Sequence, residues 1–334
     1  MLVTMPATVR SFAKINLGLS IGAHRPDGFH ELRTVYQTIA LHDVITVRVV
    51  RGSGIEIRCE DPRVPTDESN TCHRMIESGM AALRAKGRVI LEIEKRLPVQ
   101  GGLGGASSNA VAALIALERV LRKQLSDPEK LRIAAAVGSD LPLFLVGGTI
   151  LGVGRGEDVY PLADLPAMPC VIVTPEVGIS TPTAFAEWDA LLTEAGSAKL
   201  TTAGPSDRMM ELGRRISSWL SNVPLKKASG GRLSGVPARG RGRAETLLLD
   251  LVRTGIENDF ERVVFPQYPE LRDVKRVLAG SGAGYVSLSG SGSALYGLFR
   301  SKAVAEKAAA RLRGEGVPAQ ATTTLRRRQY WKKL

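Results

Sequence analysis

A run of small residues at positions 98–109, PVQGGLGGASSN, limits what this chain can fold into more than any other segment. It lies between a predicted strand at 88–95 and a predicted apolar helix at 107–121. Its four glycines lack a Cβ, so the backbone can turn its amides inward and approach a bound group closely. The start of the following helix directs further amides at the same place. The pattern is typical of a phosphate-binding loop, and a flexible turn followed by a serine N-cap is the alternative.

Two familiar nucleotide-binding motifs are absent from the sequence. No Gly-Lys dipeptide occurs, which excludes a Walker A loop, and no G-x-G-x-x-G occurs, which excludes the dinucleotide-binding fingerprint. If the loop at 98–109 binds phosphate, it therefore belongs to another class of phosphate-binding loop.

Alternating apolar and polar residues predict a half-buried strand at 9–21. Most odd positions from Val9 to Ile21 are apolar, whereas Lys14 and Asn16 occupy even positions and share one face. A lysine rarely lies among apolar neighbours without a partner. Lys14 is therefore a candidate functional residue.

A single acid, Asp140, lies between a predicted helix at 127–137 and an apolar stretch, within the segment GSDLPLF at 138–144. A partly buried carboxylate beside a cation can act as a general base, whereas an aspartate that precedes a helix can serve as its N-cap. The sequence leaves both roles open for Asp140. The four histidines show no metal-ligand spacing, so no metal site is predicted, and His30 alone fits a turn residue.

The remaining pattern mixes helices and strands without strict alternation of the two. The further predicted elements are strands at 44–50, 55–58, 170–174, 284–289 and 294–299, and helices at 70–86 and 302–313. This mixture predicts α+β architecture rather than a doubly wound parallel sheet. A length of 334 residues is enough for two domains, and we place them at 1–164 and 165–324.

The net charge of +12 is concentrated in two segments. Residues 224–243 carry six basic side chains and residues 325–334 carry five, with no acid in either segment. The rest of the chain has 34 basic and 33 acidic residues, so its body shows no charge bias toward nucleic acid. We interpret the two segments as appendages, a basic insertion in the second domain and a basic tail, and expect neither to be needed for activity.

Other classes of protein are disfavoured by composition. The apolar stretches are too short to span a membrane, and the first ten residues have neither a signal core nor a transit-peptide bias, so we expect a cytoplasmic protein. Three cysteines without a C-x-x-C argue against a disulfide scaffold or a cysteine zinc site. The sequence leaves a monomer and a homodimer equally open.

Five segments, taken in this order, resemble the GHMP kinase superfamily of galacto-, homoserine, mevalonate and phosphomevalonate kinases. They are FAKINL at 12–17 with RPDGFHEL at 25–32, the loop at 98–109, GSDLPLF at 138–144 with GRGE at 154–157, NDFE at 258–261 and GSGS at 290–293. The RPDGFHEL segment is similar to the branch that acts on 4-diphosphocytidyl-2-C-methyl-D-erythritol (CDP-methylerythritol).

The resemblance implies a two-domain fold, with an α/β N-terminal domain, a ferredoxin-like α+β C-terminal domain and an active site in the cleft between them. It also implies a reaction. ATP, bound with Mg²⁺, would phosphorylate the 2-hydroxyl of CDP-methylerythritol, a step in the non-mevalonate synthesis of isoprenoid precursors.

The same resemblance implies roles for individual residues. Asp140 would accept the proton of the hydroxyl, and Lys14 would keep Asp140 ionised and help orient the hydroxyl. Asn16 and His30 would lie on the substrate side, with Phe29 stacked on cytosine. The ATP-binding residues would be Pro98, Val99, Gln100, Gly101, Gly102, Leu103, Gly104, Gly105, Ala106, Ser107 and Ser108.

The sequence departs from the superfamily pattern at three positions. Ala106 replaces a glycine and Gln100 replaces a small residue, but neither change removes a backbone amide from the loop. Ser139 stands where alanine usually precedes the acid.

Three alternatives remain. A homoserine or mevalonate type of kinase would not be expected to keep DGFH at 27–30, and an inactive relative would have lost Lys14 or Asp140. A nucleic-acid-binding protein would have to use the basic segments.

Overall fold

The structure is a computed structural model that describes residues 5–194 and 257–334. The basic insertion predicted at 224–243 lies outside the described residues, so the expectation that activity does not need it stays a prediction. Within the part of the chain that is described, no helix is both long and apolar enough to cross a membrane.

A six-stranded sheet and four helices form the first half of the described structure. The strands are β1 Ala7–His24, β2 His30–Val50, β3 Ile55–Cys59, β4 Arg88–Glu94, β5 Thr149–Val153 and β6 Asp158–Pro161. The helices are α1 Thr71–Ala82, α2 Gly105–Leu121, α3 Asp127–Val137 and α4 Leu141–Val146. The sheet order is β3-β4-β2-β5-β6, with β1 paired along β2. The segments 12–17 and 25–32, which resemble GHMP motifs, therefore both lie on the long β1–β2 hairpin.

Helix α2 is apolar on almost all sides because it is packed between the sheet and α1. Twelve of its seventeen residues are buried. Helix α1 starts where the sequence predicts, since the Asn70 side chain caps it by accepting a hydrogen bond of 2.8 Å from the Cys72 amide. Burial of α2 fixes the direction in which its N-terminus, and therefore the glycine-rich loop, faces.

A second, four-stranded sheet lies in the C-terminal half, in the order β10-β7-β9-β8. Its strands are β7 Pro169–Val173, β8 Tyr285–Leu288, β9 Leu295–Leu298 and β10 Ala319–Thr323. Its helices are α5 Thr181–Glu194, α6 Glu261–Gln267, α7 Pro269–Gly280 and α8 Lys302–Gly314. Each sheet has its own buried core, which agrees with the α+β prediction.

The interpretation of the C-terminal segment 325–334 as an appendage is wrong, whereas the expectation that activity does not need it stays a prediction. Its helix α9, Arg327–Lys333, packs against the first half of the molecule with Tyr330 only 1% exposed. Leu325 is also buried, and Arg327 donates hydrogen bonds to the backbone carbonyls of Gly147, Thr149 and Leu162. The prediction rests on the charged residues of this segment. Its apolar residues, which lie among the charged ones, pack against the first half of the molecule and hold the segment there.

Candidate active site

Lys14 lies on β1 with its side chain almost fully buried, 4% exposed. Its Nζ donates a hydrogen bond of 2.7 Å to Asn16 Oδ1, so the prediction that the two side chains share a strand face is confirmed. The Lys14 amide donates to the carbonyl of Leu103 at 3.0 Å. This backbone contact attaches the glycine-rich loop directly to the strand that carries the lysine.

Asp140 occupies the N-cap position of α4, yet its side chain makes no capping hydrogen bond. Its Oδ1 accepts a hydrogen bond of 3.1 Å from the Tyr36 hydroxyl, and its Oδ2 lies 3.6 Å from Lys14 Nζ. The side chain is 35% exposed. Of the two roles that the sequence left open, capping is therefore not the one that this geometry serves.

Burial is the main cause of the pKa shifts of Lys14 and Tyr36, the two buried groups that contact Asp140. Loss of solvent lowers the pKa of Lys14, and the negative charge of the neighbouring Asp140 opposes that shift. Burial, together with the negative charge of Asp140, raises the pKa of Tyr36 well above its ordinary value, so its hydroxyl stays protonated and remains a donor. The Lys14 ammonium also lies 5.7 Å from the centre of the Tyr36 ring.

Tyr36 is a residue of the site that sequence reasoning missed. It is buried on β2 and pairs in register with Asn16. In the sequence it stands in a strand among apolar residues, where an aromatic side chain suggests only packing. Its contact with Asp140 joins positions 104 residues apart, which no local pattern reports.

The glycine-rich loop lines a cavity of about 340 Å³. All residues from Pro98 to Ser107 line it, and Lys95 and Asn109 contribute to its wall. Helix α2 begins directly after Gly104, whose φ is +72°, so the first-turn amides of α2 lie at the cavity. A Cβ at Gly104 would come within 3.0 Å of both the Phe144 ring and the Lys14 stem. Glycine is therefore required there by backbone conformation and by space.

Ser108 is the exception among the predicted loop residues. Its side chain is buried, and its hydroxyl shares a hydrogen bond of 2.6 Å with the Ser11 hydroxyl and donates to the Gly105 carbonyl at 3.1 Å. The structure does not bring this hydroxyl into the cavity. Ser108 instead fixes the first turn of α2 to β1.

The second Gly/Ser loop, 289–293, packs directly on the glycine-rich loop. The Ser289 hydroxyl donates to the Gly102 carbonyl at 3.0 Å, and a Cβ at Gly292 would lie 2.5 Å from the Gly102 amide nitrogen. Asn258 holds this loop from beneath by donating to the carbonyls of Leu288 and Gly290. The C-terminal half thus supports the cavity through residues that the sequence analysis gave no role of their own.

Phe29 and His30 lie at the turn of the β1–β2 hairpin, away from Lys14. The His30 ring is stacked on Phe185 with 5.0 Å between centroids, and its Nε2 is hydrogen-bonded to Asp189 Oδ1 at 2.8 Å. Phe29 is 49% exposed, with the Arg155 guanidinium 4.8 Å from the centre of its ring. Phe185 and Asp189 belong to α5, and their proximity to the hairpin could not be predicted from sequence spacing.

Asn16 lies with the Lys14–Asp140 pair rather than with Phe29 and His30. Its carboxamide accepts from Lys14 and donates to the Thr34 hydroxyl at 2.8 Å. On β2, Tyr36 and His30 are six residues apart, which is roughly 20 Å along an extended strand. The predicted catalytic and substrate-side residues therefore form two groups, one at the hairpin turn and one about six residues further along β2.

The segment 154–157 connects the two groups. Arg155 covers Phe29 at one end, and Gly156 lies beside Tyr36 and Asp140 at the other. A Cβ at Gly156 would be 2.5 Å from the Tyr36 hydroxyl oxygen and 3.9 Å from Asp140 Oδ1. In the described ranges 5–194 and 257–334, no group of three or more His, Cys, Asp or Glu side chains is arranged to hold a metal ion.

Comparisons with known proteins agree with this geometry. The "GHMP kinases N terminal domain" matches residues 70–148, and "GHMP kinases C terminal" matches residues 243–318. The 4-diphosphocytidyl-2-C-methyl-D-erythritol kinase of Solibacter usitatus is 37% identical over 302 residues, which cover 90% of this chain and 84% of that protein. The chain belongs to the 4-diphosphocytidyl-2-C-methyl-D-erythritol kinase family. The enzyme of that name from Acaryochloris marina is 32% identical, with 91% of each chain covered.

Membership of this family makes the chain an ATP-dependent small-molecule kinase. A crystal structure of 4-(cytidine 5'-diphospho)-2C-methyl-D-erythritol kinase matches with a TM-score of 0.69 and 28% identity, covering 95% of this chain and 98% of that one. The expected two-domain GHMP kinase fold is thereby confirmed. A homoserine kinase from Cytophaga hutchinsonii has the same TM-score at 18% identity, a likeness that extends to the fold alone.

Proposed function

We propose that this chain transfers the terminal phosphoryl group of ATP to the 2-hydroxyl of 4-diphosphocytidyl-2-C-methyl-D-erythritol, a step in the synthesis of isoprenoid precursors. The observation that carries the proposal is the contact between Lys14 and Asp140 beside the glycine-rich loop. The Lys14 amide donates to Leu103 of that loop, so a cation and a carboxylate lie next to the candidate phosphate-binding segment. The family relationship supplies the identity of the substrate.

In the proposed mechanism, Asp140 accepts the proton of the attacking hydroxyl. Its carboxylate is partly exposed, and the hydrogen bond from Tyr36 leaves lone pairs free to accept a second one. Lys14 stabilises the ionised carboxylate and the negative charge that develops as the oxygen–phosphorus bond forms and ADP departs. Phosphoryl transfer needs mostly orientation and charge stabilisation, which these fixed groups supply.

The glycine-rich loop holds the triphosphate in this proposal. Gly102 and Gly104 have left-handed backbone conformations and line the cavity, and the first turn of α2 begins there. In this proposal the backbone N–H groups of that segment bind the nucleotide phosphates. We assign Mg²⁺ to the nucleotide itself, since phosphate oxygens are ligands that Mg²⁺ prefers and the described residues offer no acidic cage. When bound, Mg²⁺ neutralises part of the phosphate charge.

The cytidine group of the substrate is assigned to the hairpin end of the cleft. Phe29 exposes an aromatic ring there, and His30 is held against Phe185 and Asp189 with a fixed ring orientation. The separation between this end and Tyr36, roughly 20 Å along the strand, suits an elongated substrate with its base far from the reacting hydroxyl. Binding energy from the base would then position the hydroxyl beside Asp140.

A coupled assay of ADP release tests the proposal. CDP-methylerythritol, methylerythritol phosphate, homoserine and mevalonate are offered separately at equal concentration. We expect turnover with CDP-methylerythritol and at most weak turnover with the other three. Faster turnover with homoserine or mevalonate would contradict the substrate assignment, and equal turnover with and without the cytidine group would contradict the role of the hairpin.

A further inference from the structure

Lys14 lies on β1 and Asp140 immediately precedes α4, and the C-terminal helix α9 contacts both of these elements. Helix α4 has only six residues, so its last carbonyl groups lack partners within the helix. Residues of α9 satisfy two of them. The Tyr330 hydroxyl donates to the Phe144 carbonyl at 2.7 Å, and the Trp331 indole donates to the Val146 carbonyl at 3.1 Å.

Tyr330 also packs against β1. Its ring lies 5.5 Å from the ring of Phe12, which precedes Lys14 by two residues. Its position is tightly defined, because a Cβ at Gly147 would collide with the Tyr330 ring. Burial raises the pKa of Tyr330, so the hydroxyl remains a hydrogen-bond donor over the working pH range.

Phe144 connects Tyr330 to the active site, because its carbonyl accepts from Tyr330 and its ring lies beside the glycine-rich loop. A Cβ placed on Gly104 would lie 2.9 Å from Phe144 Cζ, 3.0 Å from Lys14 Cγ and 3.2 Å from Lys14 Cε. The Phe144 ring, the Lys14 stem and the glycine-rich loop therefore meet at one point. A displacement of α4 would change that packing and the 3.6 Å separation between Lys14 and Asp140 together.

We propose that Tyr330 is a positioning residue that holds α4 against β1, so that the Asp140 carboxylate stays within reach of Lys14 and of the substrate hydroxyl. This inference rests on the proposed function, since it concerns the role of Asp140 in phosphoryl transfer. Loss of the Tyr330 hydroxyl removes one fixed point of α4 without touching ATP or substrate. It lowers turnover and leaves binding unchanged, because small errors in alignment are costly in the transition state.

The test compares Tyr330→Phe with Ser281→Ala. Tyr330→Phe keeps the ring beside Phe12 and removes one hydroxyl donor. Ser281→Ala removes a hydroxyl that donates at the same distance of 2.7 Å to the Val277 carbonyl at the end of α7, in the other half of the molecule. For Tyr330→Phe we expect kcat to fall about three- to tenfold, with both KM values within about twofold of wild type. Ser281→Ala should keep wild-type kcat.

If Tyr330 only stabilises the fold, Tyr330→Phe should affect the Tm and leave kcat unchanged. Both variants would then lower the Tm by similar amounts and keep the wild-type kcat per folded molecule, which would overturn the inference. If Tyr330→Phe gives no folded protein, Trp331→Phe replaces it. The same change in kcat with unaltered KM values is expected from that variant, and an unaltered kcat would contradict the inference.

Combination with Asp140→Asn separates failure of the inference from failure of the proposed function. If Tyr330 acts through Asp140, adding Tyr330→Phe to Asp140→Asn lowers the residual turnover by less than about twofold. A full three- to tenfold further loss would overturn the inference while leaving the role of Asp140 intact. Wild-type turnover of Asp140→Asn alone would remove the proposed function and the inference with it.

Discussion

Two lysine–aspartate pairs lie close to the glycine-rich loop, and they differ in how many hydrogen bonds the acid accepts. Asp43 is fully buried and accepts three hydrogen bonds, at 2.5 Å from Lys95 Nζ and at 2.7 and 2.8 Å from the amides of Arg96 and Leu97. Those amides immediately precede the loop. The Lys95–Asp43 pair thus fixes the backbone at the start of the glycine-rich loop.

Asp140 is satisfied much less completely. It accepts one hydrogen bond, from Tyr36, and its contact with Lys14 is 3.6 Å long. About a third of its side chain is exposed, so a ligand can reach it. The same two residue types serve a structural role when the acid is fully buried and accepts several hydrogen bonds, as Asp43 does. They become available for proton transfer when the acid accepts fewer hydrogen bonds and is reachable from solvent, as Asp140 is.

Replacing each lysine by methionine should separate the catalytic role of Lys14 from the structural role of Lys95. These substitutions should give the largest effects. Lys14→Met removes the cation beside Asp140, and we expect kcat to fall about 10²- to 10⁴-fold. Lys95→Met leaves the charge of Asp43 buried and unpaired, so we expect a loss of about 3–5 kcal/mol in the free energy of unfolding. Steady-state kinetics and urea unfolding measure the two effects. A loss of turnover as large in folded Lys95→Met as in Lys14→Met would contradict a structural role for Lys95.

A matched pair of glycine substitutions tests whether the glycine-rich loop binds the phosphates of ATP. Gly104→Ala places a Cβ against Phe144 and Lys14 at a φ of +72°, and we expect the Kd for ATP to rise at least about tenfold. Gly178→Ala is the control, because a Cβ there would have no neighbour within 4 Å. Calorimetric titration with ATP gives both affinities. Unchanged binding by Gly104→Ala would mean that the loop is only a turn.

The hairpin end of the cleft should show a smaller effect that is confined to the substrate. Phe29→Ala removes the exposed ring, and stacking is worth about 0.5–1.5 kcal/mol, so we expect KM for CDP-methylerythritol to rise about two- to tenfold at nearly constant kcat. Phe29→Tyr keeps the ring and should behave as wild type. An unchanged KM in Phe29→Ala would remove Phe29 from the cytidine site.

The smallest expected effect concerns pH. Because burial lowers the pKa of Lys14, the unfolded chain binds this proton more tightly than the folded chain does. Stability contributed at this position therefore rises as the pH increases from the lowered folded pKa toward 10.5. We expect the free energy of unfolding of wild type, relative to Lys14→Met, to increase over that range. A difference that stays constant with pH would show that the lysine is not desolvated.

Local signals predicted the loop, the common face of Lys14 and Asn16, and most of the helices and strands, because each depends on residues close together in sequence. The contact of Tyr36 with Asp140 and the stacking of Phe185 on His30 depend instead on how distant elements pack. The C-terminal helix was misjudged for a different reason. Its charges dominate the composition, whereas burial of Tyr330 decides where it lies.

The most direct test of the central claim is the turnover of Asp140→Asn with ATP and CDP-methylerythritol, measured by ADP release on protein whose Tm is determined in parallel. Asparagine keeps the size of the side chain and its contact with the Tyr36 hydroxyl but cannot take up the substrate proton. We expect kcat to fall about 10²- to 10⁴-fold, with KM values and Tm close to wild type. Wild-type turnover by Asp140→Asn would contradict that expectation, and another group would have to accept the proton.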